Sequence, residues 1–129
     1  MTYSDTVMEH FRNPKHHGEI QNPDGIGKVG NPQCGDLLWV YIKVGRNLKG
    51  EKILEDAKVK TFGCVAAISS SDVLCEIAIG KTIEEAKKIT KKEILEKLGQ
   101  IPAQKIHCSV LAADALQKAI EDYEKKIIS

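Results

Sequence analysis

Three of the four cysteines stand beside a glycine or a second potential metal ligand, in the sequences Cys34-Gly35-Asp36, Gly63-Cys64 and His107-Cys108. Thiolate, carboxylate and imidazole together make a soft, mixed set of donors that suits iron–sulfur clusters or zinc. The glycines let the backbone turn sharply or come close to a bulky bound group. We therefore expect the three cysteines to share one site. The alternative is three unrelated thiols, because residues so far apart in sequence need not converge.

The fourth cysteine and three histidines have simpler interpretations. Cys75 lies in an apolar stretch, and free cysteine is among the most buried residue types, so we expect it in the core. His10, His16 and His17 are expected to be solvent-exposed side chains near a helix end, since nothing in the sequence fixes their geometry. The absence of a Cys-x-x-Cys pair disfavours a thiol-redox enzyme and a zinc ribbon.

The composition excludes several classes of function. Lys plus Arg (19) nearly balance Asp plus Glu (18), so no basic surface points to nucleic acid or to an acidic membrane. No apolar run approaches the roughly 20 residues that cross a bilayer, and the N-terminus lacks the charged and apolar regions of a signal peptide. We expect a cytoplasmic protein without disulfides. With 42% hydrophobic residues, the chain should form a single domain over residues 1–129.

Alternating apolar residues predict a small antiparallel sheet. Residues 37–44 and 53–62 have the β-branched and aromatic content of two strands joined by a turn. Residues 26–29 are expected to add a third strand. They lie in a longer segment, residues 12–33, whose prolines and glycines otherwise predict an irregular loop.

Helices are predicted before and after these strands in the sequence. A short one is capped by Ser4 and stops at Asn13-Pro14. A helix of small residues follows the last strand and closes at Gly80, and capping boxes open two short helices at residues 82–85 and 90–93. The three metal-site cysteines therefore fall at junctions between elements.

The last helix carries one of these cysteines at its start. Apolar residues recur at three- and four-residue steps from Ser109 onward, and Pro102 prevents a helix from continuing from upstream. Cys108 is thus expected at or next to the helix N-terminus, where unpaired N–H groups favour thiolate over thiol. Together the elements predict an α+β fold, with helices packed on one face of a sheet of about three antiparallel strands and a long C-terminal helix.

Several short sequence blocks occur in an order typical of one family. They are Tyr3-Ser4, Gly30-Asn-Pro-Gln-Cys34-Gly-Asp36, Lys60-Thr-Phe-Gly-Cys64, Ala67-Ile68, Ser69-Ser70-Ser71, and Lys105-Ile-His107-Cys108-Ser109 with Leu111-Ala112. Each block alone is a weak signal. In this order, over almost the whole chain, they resemble the IscU/NifU-type iron–sulfur cluster assembly scaffolds.

The resemblance implies a function for the three cysteines. Cys34, Cys64 and Cys108 would lie at one end of the fold, receive sulfur from a cysteine desulfurase, and hold a nascent 2Fe-2S cluster built with ferrous iron. The cluster would then pass to apo iron–sulfur proteins. No turnover of a small-molecule substrate is implied, so the protein is expected to be a scaffold and not an enzyme.

The resemblance also assigns roles to neighbouring residues. Asp36 would be a labile oxygen ligand or gate, His107 an alternative fourth ligand, and Lys105 a residue near the site. Many family members carry Leu-Pro-Pro-Val-Lys, a segment read by an Hsp70-type chaperone, where this chain has Ile101-Pro-Ala-Gln-Lys105. The resemblance therefore implies an Hsp70-type chaperone as a partner, but the motif that the chaperone reads is altered in this chain.

Two questions stay open at this stage. The same ligands, Asp36, Cys64 and Cys108 with Cys34 or His107, suit a tetrahedral zinc site, so a structural or sulfur-relaying zinc protein is the alternative function. The sequence also does not decide between a monomer and a homodimer that shares a cluster.

Overall fold

The computed structural model describes residues 4–31, 36–62, 65–99 and 107–128, with the backbone alone at residues 31, 36, 62, 107–109, 127 and 128. In chain order its elements are α1 (Asp5–Arg12), β1 (Gly25–Asn31), β2 (Asp36–Arg46), β3 (Lys52–Phe62), α2 (Val65–Ala78), α3 (Ile83–Lys87), α4 (Lys91–Leu98) and α5 (His107–Ile128). The predicted α+β fold with a long C-terminal helix is confirmed.

The three strands form one antiparallel sheet in the order β1-β2-β3. The register between β1 and β2 runs from Gly25 opposite Ile42 to Asn31 opposite Asp36. β2 and β3 pair with an irregularity between Lys43 and Val44. The expected third strand at residues 26–29 is confirmed, and it is longer than predicted, because residues 25, 30 and 31 of the segment predicted as a loop also belong to it.

The core lies between one face of this sheet and the helices. Alternate strand side chains point toward the helices and are buried. Small and branched apolar residues of α2 and α5 cover them. The largest fully buried apolar side chains are Ile42, Leu54, Leu74, Ile94, Leu98, Leu116, Ile120, Val7, Val40, Val59 and Val73. On the opposite face, Ile26 and Leu37 are exposed.

Local hydrogen bonds explain where α1 and α3 begin. The Ser4 hydroxyl accepts from the backbone N–H of Val7, and Thr82 and Glu85 form the predicted capping box of α3. The second predicted capping box is wrong, because the Thr90 side chain makes no capping hydrogen bond, although α4 does begin after it. None of the helices among the described residues combines the length and apolar character needed to cross a membrane.

Candidate metal centre

The structure describes half of the predicted site. Asp36 is the first residue of β2, and His107 and Cys108 are the first two residues of α5, each by its backbone. The other predicted residues, Cys34, Cys64 and Lys105, lie outside the described residues. The helix start at His107, two positions before the expected Ser109, agrees with the expectation that Cys108 stands in the first turn.

The strand ends next to these cysteines meet at one end of the sheet. Asn31, the last residue of β1, is opposite Asp36, and Leu37 is opposite Phe62, the last residue of β3. In the sequence, Cys34 lies between Asn31 and Asp36, and Cys64 follows Phe62 by two positions. The two chain segments that carry these cysteines therefore leave from, or return to, the same end of the sheet.

The long helix α5 starts at that end as well. It runs antiparallel to β1, because Gly25 meets the backbone of Ala119 and Gly27 meets the backbone of Ala115. Two strand residues and four helix residues both advance by about 6–7 Å, so this spacing continues along both elements. After Gly27 and Ala115, the next residues expected side by side are Val29 and Leu111, and both line one cavity of about 450 Å³. The pair after that is Asn31 and His107.

This position suits a cysteine that must be a thiolate. The first N–H groups of a helix have no partner within the helix, and their positive partial charge favours an anion. The 22 residues of α5 align many peptide dipoles toward that end. A metal or a sulfur electrophile needs the thiolate form, so the first turn of α5 is chemically suited to hold one ligand.

Cys75 occupies a different environment. It lies on α2, is 1% exposed and belongs to the hydrophobic core, as predicted. Burial raises the pKa of its thiol well above 9.0, and the nearby carboxylates of Asp72 and Asp56 raise it further. Cys75 therefore stays a neutral thiol and is unsuited to metal binding.

The sequence did not reveal a buried polar cluster on α2. The Asp72 side chain is 2% exposed, and its Oδ1 atom accepts hydrogen bonds from the backbone N–H groups of Lys15 (3.0 Å) and His16 (2.9 Å). Its Oδ2 atom is hydrogen-bonded to Nδ1 of His10. The Nε2 atom of the same imidazole lies 3.4 Å from Oε2 of Glu76. Asp72 thus joins α1 and the segment after it to α2.

The expectation for His10 is therefore wrong. Its side chain is only 14% exposed, because it points from α1 toward the carboxylates of Asp72 and Glu76 on α2. His17 is exposed, as predicted, and pairs with Val59 through its backbone. The available signal was Asp72 itself, a charged residue among the small and apolar residues of a helix predicted to be largely buried.

Within the described part of the chain, no group of three or more His, Cys, Asp or Glu side chains is arranged to hold a metal ion. The cluster around His10 and Asp72 holds α1 and the segment after it against α2. The predicted ligand set stays a prediction, since Cys34 and Cys64 lie outside the described residues.

Comparisons with known proteins give a consistent result. The profile of the family described as the NifU-like N-terminal domain matches residues 2–129. The chain is 56% identical over 124 residues to the iron–sulfur cluster assembly scaffold protein IscU 1 of Archaeoglobus fulgidus, a match that covers 96% of this chain and 78% of the relative. It is 47% identical over 129 residues to IscU of Azotobacter vinelandii, covering 98% of this chain and 97% of the relative.

Solved structures share the same fold. A candidate scaffold protein for the SUF system of Fervidobacterium islandicum superimposes with a TM-score of 0.71 at 22% identity, covering 92% of this chain and 96% of that one. The N-terminal part of a NifU-like protein from Brucella abortus gives a TM-score of 0.70 at 20% identity, with 95% and 94% covered. At these identities the similarity establishes the fold of the chain.

Proposed function

Because the chain belongs to the family of the NifU-like N-terminal domain, we propose that it is a scaffold on which iron–sulfur clusters are assembled before transfer to apo-proteins. The membership confirms the resemblance seen in the sequence. Its curated relatives are named as assembly scaffolds, which favours a cluster over the zinc alternative.

One structural observation supports particular residues as the ligands of the cluster. The end of β1, the start of β2, the end of β3 and the start of α5 lie at the same end of the molecule. The three cysteines with a neighbouring glycine or ligand are each within three positions of one of these four ends. We take Cys34, Cys64 and Cys108 as the thiolate ligands of one cluster.

A 2Fe-2S cluster has four terminal positions, so a fourth ligand is needed. Asp36 begins β2, and His107 precedes Cys108 in the first turn of α5. A carboxylate oxygen is a harder donor than a thiolate and a poorer match for sulfide-bridged iron. Asp36 as fourth ligand would make the cluster easier to release, which a scaffold requires. Lys105 is the cation that we expect beside this site.

Sulfur would arrive from a cysteine desulfurase as a persulfide. A scaffold thiolate attacks the outer sulfur, the desulfurase S–S bond breaks, and the desulfurase thiolate leaves. Each transferred sulfur must then gain two electrons to become sulfide. Two ferrous ions that become ferric supply half of the electrons for two sulfides, and a protein or thiol reductant supplies the other half. The scaffold itself turns over no small-molecule substrate.

The other partners follow from this role. Apo iron–sulfur proteins receive the cluster, and the sequence Ile101-Pro-Ala-Gln-Lys105 is the part of the chain that an Hsp70-type chaperone would have to read. Either a monomer or a homodimer is compatible with one cluster site at the end of the sheet.

Anaerobic reconstitution with iron and sulfide tests the function. We expect visible absorption and about one 2Fe-2S cluster per chain or per dimer, whereas zinc in the same ligands would be colourless. Alanine in place of Cys34, Cys64 or Cys108 should abolish or severely reduce the cluster. Cys75→Ala is the matched control, because this thiol is buried in the core. Equal loss in the control, or stoichiometric zinc with no capacity for a cluster, would contradict the proposal.

A further inference from the structure

Two glycines of β1 lie unusually close to the backbone of α5. A Cβ atom on Gly27 would lie 2.1 Å from the carbonyl oxygen of Ala115 and 2.5 Å from the nitrogen of Ala119. A Cβ atom on Gly25 would lie 2.2 Å from the carbonyl oxygen of Ala119. These neighbours are backbone atoms, which cannot rotate away as a side chain can. The helix can therefore occupy its position only because both residues lack a side chain.

The close approach sets how far α5 stands from the sheet. Any side chain at Gly27 would have to push the helix outward by about 1 Å, since carbon and oxygen atoms do not pack closer than about 3 Å. Gly27 is four residues from the end of β1, and Ala115 is two helical turns from the start of α5. A displacement here is carried to the first turn of α5, because a helix moves as a nearly rigid rod.

That first turn faces the end of the sheet where Asn31 is opposite Asp36. We propose that Gly27, supported by Gly25, is a positioning residue for cluster assembly, which sets the spacing between Cys108 and the ligands on the sheet side. This inference rests on the proposed function. Gly27 touches neither iron nor sulfur, and it acts only through the backbone of α5.

A purely structural role predicts something different. If the glycines served stability alone, Gly27→Ala would lower the melting temperature and leave the geometry of a bound metal unchanged in the folded fraction. If they position the helix, the folded variant would bind metal more weakly and with altered ligand geometry. Outer residues that orient metal ligands typically change metal affinity by about 10–100-fold, and a displacement of about 1 Å is enough for such a change.

Cobalt(II) alone is a suitable probe, since its visible bands report both thiolate ligation and geometry. We would titrate it anaerobically into the wild-type chain, Gly27→Ala and Gly45→Ala. Gly45 is the matched control: it is a strand glycine of β2, and its added Cβ would chiefly meet the side chain of Glu55, whose Oε2 atom lies 2.8 Å away and can move. We expect the affinity for cobalt(II) to fall by about tenfold in Gly27→Ala, with shifted visible bands, and by less than about twofold in Gly45→Ala.

The outcomes separate the two proposals. A wild-type chain without thiolate-to-cobalt absorption would contradict the proposed site, and with it this inference. A wild-type chain that binds cobalt(II), with the same affinity and spectrum in folded Gly27→Ala, would overturn the inference alone. If Gly27→Ala does not fold, Gly25→Ala replaces it, with a smaller expected loss because it lies one helical turn farther from the site. Unfolding of both variants would assign the glycines to stability and also overturn it.

Discussion

The Nδ1 atom of His10 lies 2.5 Å from the Oδ2 atom of Asp72, across the contact between α1 and α2. The same carboxylate receives two backbone N–H groups from the segment that follows α1. Among the described residues, the hydrogen bonds of this nearly buried carboxylate all come from residues 10–16. Residues 4–18 are held to the fold by this carboxylate, by the buried residue Val7 and by backbone hydrogen bonds of His16 and Gly18 to Val59.

We predict strong energetic coupling between His10 and Asp72. Asp72→Ala should lower the free energy of unfolding by about 3 kcal/mol, because two backbone donors and the imidazole lose a buried partner. A double-mutant cycle with His10→Ala should give a coupling energy of about 1–3 kcal/mol from urea unfolding. His17→Ala is the control, and should change stability by less than about 0.5 kcal/mol because its side chain is exposed. Additive effects of the two single changes would contradict the coupling.

We predict that Asp36→Ala slows release of the cluster. If the carboxylate is the weak ligand or gate, its removal takes away a route by which oxygen donors displace iron, so the cluster should persist longer in air and transfer more slowly to an apo-ferredoxin. The competing role is a turn-capping hydrogen bond to the backbone, whose loss would cost about 1 kcal/mol of stability. Decay and transfer rates are compared on the folded fraction of both proteins. A shorter cluster lifetime, or an unchanged transfer rate, would leave Asp36 as a turn residue.

We predict that Asp122 contributes stability that is lost in acid. The backbone N–H of Ile26 donates a hydrogen bond of 3.0 Å to its carboxylate, which holds the pKa of Asp122 below its usual value of 3.8, and Lys126 and Lys125 act in the same direction. Because the folded state favours the ionised form, this stabilisation is present above pH 3.8 and disappears as the pH falls through the lowered pKa.

Urea unfolding of the wild type and Asp122→Asn at several pH values measures this effect. Between about pH 5 and pH 3 the wild type should lose more stability than the variant, so that the two proteins converge in acid. Asp114→Asn on the same helix is the control, since the Asp114 side chain has no hydrogen bond or ion pair among the described residues. Parallel pH curves for the wild type and Asp122→Asn would rule out the contribution.

Most of the fold follows from local patterns. Alternation of apolar residues predicts β2 and β3, and three- and four-residue periodicity predicts α5, because each element buries one face of its own. Turn and cap residues such as Gly80 and Gly99, whose φ angles are 92° and 84°, mark helix ends. These signals lie within a few residues of the feature that they predict.

The features that the sequence predicted only in part, or not at all, depend on distant partners. β1 has the sequence Gly-Ile-Gly-Lys-Val-Gly-Asn, in which glycine usually weakens a strand. Its glycines are favourable only because α5 packs on them, a contact between residues about 90 positions apart. His10 looks exposed until Asp72, from another helix, is placed beside it. The residues of the candidate site stay a prediction from residue types and order, because Cys34 and Cys64 are not among the described residues.

The β2–β3 hairpin has an irregularity in its pairing at Lys43 and Val44. This irregularity lies between the hairpin turn and the end of the sheet where the candidate site is expected. Lys43 is opposite Asp56 and Val44 is opposite Leu54, so Glu55 has no partner in β2. A bulge of this kind absorbs an additional residue without shifting the pairing on its far side. Changes in length at residues 47–50 need not be transmitted to Leu37 and Phe62. That turn is therefore where we expect the chain to tolerate an inserted tag or fluorophore without loss of cluster assembly at the proposed site.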